Sequence, residues 1–561
     1  MAQLRFDDIA AEQPTRETLA ERYGAINALL DQPGTGNRAE ALQRWDVLRR
    51  EYDSWSALVH LRFSQDTTDA DRKAAREYAD ALAPVATEHE IALKRRLLAE
   101  PDRAGVEQLA GAHAVRLWET DVTTFEPAIA ADLEEESRLG ARYTELLASA
   151  RFEIDGKTVN LSGLAPYAES LDRDTRHRAE ALRWSFFEHN GAELDSLYDG
   201  LVRLRHGMAR KLGYNSFTPL GYRNMRRVDY GPDDVARYRD EVATHVVPLV
   251  SRVMEAQRAG NGWDVLRFWD EPLVDPLGNA KPAGEEAILV ERAQTMFNNM
   301  DARLGDFYRM MKAGGFLDLA NRAGKAGGGF CTSFPTVGVP FIFANFNGTN
   351  HDIGVFTHEM GHAFQNWESR DQPGIDYLWP TMEAAEIHSM GLEFLTWPQM
   401  ELMVEPGAAD RFRRLHLITS LAFLPYGVCV DHFQHEVYAN PEATPEERHA
   451  IWQRLERRYM PWTDYGDLAY PAKGGRWQAK HHIYRSPFYY IDYTLALCCA
   501  LQFWVKSRRD YAGTLETYVE LCGRGGSAPF GELVRSAGLA SPFAPGALAE
   551  VVGEARAVLG L

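Results

Sequence analysis

Two histidines four residues apart, with a glutamate between them, carry the clearest chemical signal in this sequence. They are His358 and His362 in the run His-Glu-Met-Gly-His, and the glutamate is Glu359. Residues four apart lie on one face of a helix, so both imidazoles can bind one metal ion. A carboxylate beside such an ion can accept a proton from water that the ion activates. The motif therefore predicts a hydrolytic site with one Zn²⁺ ion per chain and Glu359 as general base.

A third metal ligand is expected from a second helix, because a catalytic zinc ion usually has three protein ligands and one open position. Residues 381–395 have the composition of a helix with one apolar side. Glu386 lies within this segment, 24 residues after His362. Glu383 lies in its first turn, where a carboxylate is favoured by the positive end of the helix dipole. We predict that Glu386 is the third ligand, with Glu383 as the alternative.

The element that carries the histidine pair is predicted to be a helix with Asn350 or Asp352 as its N-cap. Apolar residues recur at helical spacing along it, at Val355, Phe356, Met360, Ala363 and Phe364. A metal-binding histidine is usually held by a hydrogen bond to its other ring nitrogen. Either Asp352 or Glu393 could accept that hydrogen bond.

The stretch before this helix, residues 339–349, is aromatic and β-branched and predicts a strand. Pro340 cannot donate a ladder hydrogen bond, which indicates an edge strand. An edge strand beside a metal site can bind an extended peptide through its backbone. The glycine-rich run at residues 326–329 does not match a phosphate-binding motif and predicts a mobile loop beside the active site.

A second group of candidate catalytic residues lies in the run His481-His-Ile-Tyr-Arg-Ser-Pro-Phe-Tyr-Tyr-Ile-Asp-Tyr493. Pro487 suits the first turn of a helix, which would leave the histidines in the preceding loop. Tyr489 and Tyr493 are four apart and would share one face of that helix. Hydroxyl and imidazole groups can stabilise an oxyanion as it develops. Tyr489 is preferred to Tyr490 on helical phase, although the sequence does not separate the two.

These segments resemble the oligoendopeptidase F branch of the thimet oligopeptidase-like zinc metallopeptidases. The resemblance rests on the His358–His362 motif, on Glu386 in an Ala-Glu-Ile context and on the His481–Tyr493 run, and it covers roughly residues 100–540. We identify no resemblance for the first hundred residues. Other similar segments are residues 152–156, 209–214, 266–270 and 341–349.

The resemblance implies a mainly α-helical, two-lobed zinc-peptidase architecture with a deep substrate channel. It also implies a small β-sheet beside the helix that carries the histidine pair. In that family a glutamate in the position of Glu386 binds the zinc ion, and His482 and Tyr493 correspond best to its transition-state donors. The resemblance further implies that the deep channel restricts substrates to short peptides.

The predicted function is that of a zinc-dependent endopeptidase that hydrolyses internal bonds of short oligopeptides. Zinc-bound water activated by Glu359 would be the nucleophile, and His482, Tyr489 and Tyr493 would stabilise the oxyanion. One alternative is a zinc carboxypeptidase of similar helical fold. The other is a catalytically inactive peptide-binding protein, which the intact Glu359 argues against.

The overall charge narrows the range of partners. The 561 residues include 61 lysines and arginines and 80 aspartates and glutamates, for a formal charge of −19. This sign disfavours nucleic acid and anionic membranes as partners and leaves short peptides as the expected ones. The oligomeric state is not indicated by the sequence.

The cysteines and the N-terminus predict a cytoplasmic protein. The five cysteines have no CxxC spacing, and no apolar secretion signal is present at the N-terminus. The most apolar stretch, residues 489–505, contains Asp492 and Gln502 and predicts a buried helix instead of a membrane span.

Charged, periodic segments dominate the N-terminal third and predict long helices at residues 15–30, 38–63, 69–100 and 132–150. An Asp-Gly pair at residues 155–156 indicates a short hairpin between alternating apolar residues. We therefore predict an N-terminal helical lobe over residues 1–195, with a β interlude near 150–162. Residues 196–561 would form the zinc-peptidase catalytic region, in one body with the first lobe.

Overall fold

The chain folds almost entirely into helices. The computed structural model describes residues 4–32, 34–322 and 324–561. Within these ranges the α-helices, in chain order, are α1 (Arg16–Leu30), α2 (Thr35–Gln65), α3 (Ala70–Leu98), α4 (Arg103–Ala110), α5 (Ala112–Asp121), α6 (Ala130–Ala148), α7 (Ala165–Ala168), α8 (Arg173–His189), α9 (Gly191–Lys211), α10 (Phe217–Asn224), α11 (Pro232–Glu241), α12 (Val247–Gly260), α13 (Glu286–Met300), α14 (Ala302–Gly314), α15 (Asn350–Glu368), α16 (Met382–Leu395), α17 (Ala409–Ala439), α18 (Pro445–Tyr459), α19 (Ala469–Ala472), α20 (His481–Arg485), α21 (Tyr490–Ser507), α22 (Tyr511–Arg524), α23 (Phe530–Ser536) and α24 (Ala549–Leu559). The predicted long N-terminal helices, the helix that carries the histidine pair (α15) and the helix predicted over residues 381–395 (α16) are confirmed.

Five short strands form two small sheets in the described part of the chain. They are β1 (Phe152–Ile154), β2 (Lys157–Val159), β3 (Leu317–Ala320), β4 (Phe330–Phe334) and β5 (Val339–Phe346). β1 and β2 pair antiparallel around the expected Asp-Gly turn. The second sheet has the order β3-β5-β4, with β3 parallel and β4 antiparallel to β5. β5 packs against α15, so the predicted sheet beside the histidine helix is confirmed.

The prediction that residues 339–349 form an edge strand is wrong, because β5 lies in the centre of its sheet. Pro340 is tolerated there for a local reason. It pairs with Ser333 of β4, whereas β3 reaches β5 only from Ile342 onward. The missing N–H therefore falls where the β3 side has no paired strand. The edge strands of this sheet are β3 and β4.

Contacts between residues divide the chain into two compact units, each built from three separate stretches. The first unit consists of Met1–Pro127, Pro282–Pro406 and Lys506–Leu539, and the second of Ala128–Lys281, Gly407–Val505 and Ala540–Leu561. These boundaries follow tertiary contacts. The predicted division at residue 195 concerns sequence regions and stays a prediction.

The first unit has an apolar core among its N-terminal helices. Trp45 of α2 and Trp118 of α5 are fully buried and meet edge to face, with ring centroids 5.1 Å apart. The start of α1 is defined by a capping box between Thr15 and Thr18. These helices therefore owe their position to aromatic packing as well as to their own periodicity.

The second unit buries several ion pairs along with its apolar core. Arg176 binds Asp270 at 2.7 Å, and both side chains are fully buried. Arg239 binds Asp431 in the same way, with an N–O distance of 2.6 Å. Buried charges are tolerated when they are paired and hydrogen-bonded. The apolar α21 is buried as predicted, and no helix in the described ranges is long and apolar enough to cross a membrane.

Candidate metal centre and active site

The metal-binding candidates converge between α15 and α16 in the first unit. The Nε2 atoms of His358 and His362 lie 3.2 and 3.3 Å from the same oxygen, Oε2 of Glu386. The three donor atoms all lie within 4.8 Å of one another. Two imidazoles and one carboxylate are a donor set for a divalent metal ion with an open position. Glu383 is buried but does not belong to this cluster.

The two helices approach closely because the motif contains a glycine. A Cβ atom at Gly361 would lie 2.4 Å from the carbonyl oxygen of His388 and 2.6 Å from the Cα of Ser389. Any larger residue would push α16 away from α15. Gly361 therefore brings Glu386 within reach of both histidines.

Two further hydrogen bonds hold the donors. The Nδ1 atom of His358 lies 2.8 Å from Oε1 of Glu393. Glu393 follows Glu386 by about two helical turns on the same face of α16. The Ser389 hydroxyl donates to Oε2 of Glu386 at 2.8 Å. A carboxylate on Nδ1 directs the lone pair of Nε2 toward a metal ion. Of the two residues expected to orient a ligand histidine, the structure brings Glu393 to His358.

Asp352 has a different task. Its carboxylate accepts hydrogen bonds from the backbone N–H groups of Asn347 and Gly348, at 2.7–3.0 Å. The N-cap of α15 is Thr349, so neither Asn350 nor Asp352 occupies that position. Asp352 sits in the first turn and holds the link between β5 and α15. The prediction missed this because an Asp can accept backbone hydrogen bonds from either side of a helix start.

Glu359 lies beside the donor cluster and is shielded from solvent. Its side chain is 6% exposed, and Oε2 accepts no hydrogen bond from the described residues. Burial raises the pKa of Glu359 above the usual value for glutamate, although His358 and His362 oppose the shift. A carboxylate with a raised pKa is a better proton acceptor, which suits a general base.

The glycine-rich run lies against Glu359, as expected for a loop beside the site. A Cβ atom at Gly329 would lie 2.9 Å from Cγ1 of Val355 and 3.6 Å from Oε1 of Glu359. The Asn345 side chain fixes the run by donating to the carbonyls of Ala326 and Gly328, both at 2.8 Å. The run leads directly into β4, so this edge strand begins next to Glu359.

The candidate oxyanion donors form a cluster of their own in the second unit. The ring centroids of His482 and Tyr489 are 5.8 Å apart, those of His482 and Tyr493 5.6 Å, and those of the two tyrosines 4.9 Å. His482 lies on the short helix α20, and α21 begins only at Tyr490. The predictions that the histidines precede the helix in a loop and that Pro487 lies in its first turn are therefore wrong.

Tyr489 and Tyr490 differ in exposure. Tyr490 is buried and packs on Phe423 and Tyr426, with ring centroids 5.6 and 5.8 Å away. Tyr489 and Tyr493 are partly exposed. An exposed hydroxyl can reach a substrate, whereas Tyr490 is part of the core. Burial thus favours Tyr489, in agreement with the choice made from the sequence.

The structure therefore assembles the predicted residues into two groups. His358, Glu359, His362 and Glu386 meet in the first unit, and His482, Tyr489 and Tyr493 meet in the second. The role of the second group as oxyanion donors stays a prediction. Ser389 was not predicted, although its place three residues after Glu386 on one helix is a signal that could have pointed to it.

A helical fold in which two histidines and a glutamate converge beside a buried second glutamate is that of a metal-dependent peptidase. A comparison with protein-family models also indicates a peptidase. Residues 294–552 match "Peptidase family M3", and residues 6–125 match "Peptidase M3 N-terminal domain". The match at residues 6–125 includes most of the first hundred residues, for which the sequence alone suggested no relative.

Solved structures extend the similarity over the whole chain. PZ peptidase A with inhibitor 2 is 40% identical, with 99% of each chain covered and a TM-score of 0.96. A protein assigned as oligoendopeptidase F is 44% identical over 100% of this chain and 99% of its own, with a TM-score of 0.96. Another protein so assigned, from Bacillus anthracis str. Ames, is 38% identical over 100% of this chain and 98% of its own, with a TM-score of 0.91.

The chain belongs to peptidase family M3, and the predicted resemblance is confirmed. It is an enzyme of the metalloendopeptidase class. A comparison with curated proteins gives no match.

Proposed function

We propose that this protein is a zinc-dependent endopeptidase that hydrolyses internal bonds of short oligopeptides. One observation carries the proposal: the Nε2 atoms of His358 and His362 converge on one oxygen of Glu386, beside the buried carboxylate of Glu359. The preference for short peptides is supported by the name oligoendopeptidase F, which similar structures bear.

The donor set fits a zinc ion. Two imidazoles and one carboxylate match the ligand types of catalytic zinc sites, and no thiol takes part in the cluster. Burial opposes ionisation of Glu386, but in the metal-free site its interactions with His362 and His358 hold the pKa of this carboxyl well below its usual range. When bound, a zinc ion would supply Lewis-acid polarisation of water and of the scissile carbonyl.

Glu359 would move the proton. Its Oε2 has no hydrogen-bond partner among the described residues, and it would accept a proton from the attacking water and pass it to the leaving amine. The contacts that join His358 and His362 to Glu386 do not involve Glu359. The Glu359 carboxylate is therefore not needed to hold the metal donors in place.

The edge strand β4 is the stretch best suited to bind a peptide backbone. Within the described residues it has β5 as its only strand partner, and its first residue follows Gly329 at Glu359. An extended peptide can add to such an edge through main-chain hydrogen bonds, which do not depend on side-chain identity. β4 takes the role that the sequence suggested for β5.

His482, Tyr489 and Tyr493 are proposed as the donors that stabilise the oxyanion. Their mutual contacts and the partial exposure of the two tyrosines support this role. Donors placed in advance stabilise charge as it develops, and the loss of one typically costs about 10²–10³-fold in kcat. Tyr489→Phe and Tyr493→Phe test each hydroxyl separately.

A cytoplasmic location is also proposed. The five cysteines are all free thiols, and four of them are buried. Free thiols are typical of proteins from a reducing compartment.

The test is turnover of an internally quenched peptide with metal analysis on the same sample. We expect stoichiometric zinc, loss of turnover on chelation, and recovery when zinc is restored. Fragment masses should show cleavage at internal bonds; release of single C-terminal residues would indicate a carboxypeptidase instead. Glu359→Gln should keep the metal and lower kcat by about 10²–10⁴-fold. Unchanged turnover in that variant would contradict the proposed mechanism.

A further inference from the structure

Phe488 has an unusual backbone conformation directly before the tyrosine cluster. Its φ angle is +65°, in the left-handed region that residues with a side chain rarely adopt. Its side chain is fully buried, so an exposed turn does not account for this conformation. Such a conformation costs free energy and persists only where the surroundings enforce it.

Two buried polar side chains enforce it through the backbone. Gln434 of α17 accepts a hydrogen bond from the N–H of Phe488 at 2.9 Å. Arg227 donates to the carbonyl oxygen of Phe488 and to Oδ1 of Asp492, each at 2.5 Å. Both peptide groups of Phe488 are thus held by other segments of the second unit.

The aromatic ring is held as firmly as the backbone. It lies between His435 and Tyr438, with ring centroids 4.9 and 5.3 Å away. On another side it rests against Gly221 of α10, where a Cβ atom would come within 2.6 Å of the ring. The ring can occupy this space because residue 221 has no side chain.

This residue sits at the turn that joins the two halves of the donor cluster. His482 precedes it on α20, Tyr489 follows it at once, and Tyr493 lies on the first turn of α21. The N–H of Asp492 is bonded to the carbonyl of Tyr489 at 2.9 Å, so Arg227 also grips the start of α21 through Asp492. A change in the Phe488 backbone would rotate Tyr489 relative to the other two.

We infer that Phe488, with its clamp of Gln434 and Arg227, is a positioning device that sets the geometry of His482, Tyr489 and Tyr493 for catalysis. The inference rests on the proposed function, because it acts through the proposed oxyanion donors. Strained residues held by several partners are typical of functional sites, where the surroundings offset the cost of the strain. Misplacement of a catalytic group by about 1 Å can cost about 10²-fold in rate.

Two variants disturb the clamp from independent sides. Gln434→Met removes the acceptor of the Phe488 N–H and keeps the side-chain length. Gly221→Ala presses on the ring and removes no hydrogen-bonding group. We expect each to lower kcat by about 10–10²-fold, with KM and bound metal unchanged.

Matched controls in the same unit separate positioning from general stability. Gln257→Met also removes a buried glutamine that bonds backbone groups, here the carbonyls of Asp270, Glu271 and Leu273. Gly207→Ala adds a methyl group on α9 where no atom lies within 4 Å. Both should retain the kcat of the wild type, even if Gln257→Met lowers the melting temperature.

The deciding measurement is a double-mutant cycle with Tyr489→Phe. If Gln434 acts through Tyr489, Gln434→Met should cost little further kcat in the Tyr489→Phe background. Full additivity would overturn the inference, as would an unchanged kcat in both clamp variants. Failure of the proposed function is distinct, because it would appear as wild-type protein that does not turn over peptides or that resists chelation.

Discussion

The Oε1 atom of Glu393 lies 2.8 Å from Nδ1 of His358, on the side of the ring opposite the Nε2 atom that faces Glu386. This pair links the end of α16 back to the histidine helix. It fixes both the ring orientation and the tautomer that His358 presents to a metal ion.

Glu393→Gln should therefore weaken metal binding without removing a ligand. The neutral amide is a poorer acceptor for Nδ1–H, and such changes typically lower metal affinity about 10–100-fold. Competition with a chelator of known affinity measures the effect. Metal binding equal to that of the wild type would show that the contact does not support the donor.

The assignment of the third ligand predicts different outcomes for two glutamates on one helix. Glu386→Gln should lose metal on dialysis because it removes the carboxylate that both imidazoles approach. Glu383→Gln should retain it, since Glu383 lies outside the donor cluster. Metal content by mass spectrometry of both dialysed variants decides between them, and the reverse pattern would make Glu383 the ligand.

Gly361→Ala should destabilise the protein and reduce metal binding. The new methyl group would lie 2.4 Å from a backbone oxygen of α16, and overpacking of this kind costs about 1–3 kcal/mol. Gly354→Ala on the same helix is the control, because nothing lies within 4 Å of its Cβ position. That change should be neutral or stabilising by about 0.5–1 kcal/mol. Thermal melts and metal content distinguish the two, and equal behaviour would argue against the close packing of α15 and α16.

The second unit should lose stability in mild acid through His435. Burial lowers its pKa from 6.5 to about 4, and its Nε2 lies 3.1 Å from the Tyr222 hydroxyl. Between pH 4 and 6.5 the unfolded chain binds a proton that the folded chain does not, so stability rises with pH across this window. The contribution of neutral His435 to the free energy of unfolding is complete above about pH 6.5. Within the window, the free energy of unfolding changes by about 1.4 kcal/mol per pH unit for one proton.

His435→Gln should flatten this dependence by up to that slope. His432, which contacts the Tyr459 hydroxyl at 2.9 Å and whose pKa is also lowered to about 4 by burial, provides a second test. Denaturation midpoints at pH 5 and pH 7 report the change for each variant. If both variants keep the slope of the wild type, these histidines do not carry the acid sensitivity.

Elements and residues whose signals are local could be predicted from the amino-acid sequence. Helical periodicity located α15 and α16, because an apolar stripe is repeated every few residues within one element. The spacing of His358 and His362 and the place of Glu386 on the next helix were enough to predict the donor cluster. Residues that act through their neighbours on one helix face can be read from spacing alone.

Relationships between distant segments became visible only in the folded protein. Pro340 suggested an edge, but the order β3-β5-β4 depends on which strands meet across the sheet. The choice of Glu393 over Asp352 depends on how close α16 comes to α15, which Gly361 controls. The left-handed Phe488 has no signal in its own sequence, because its conformation is imposed by Gln434 and Arg227 from elsewhere in the chain. Local propensity cannot encode a geometry whose cost is offset by partners more than fifty residues away.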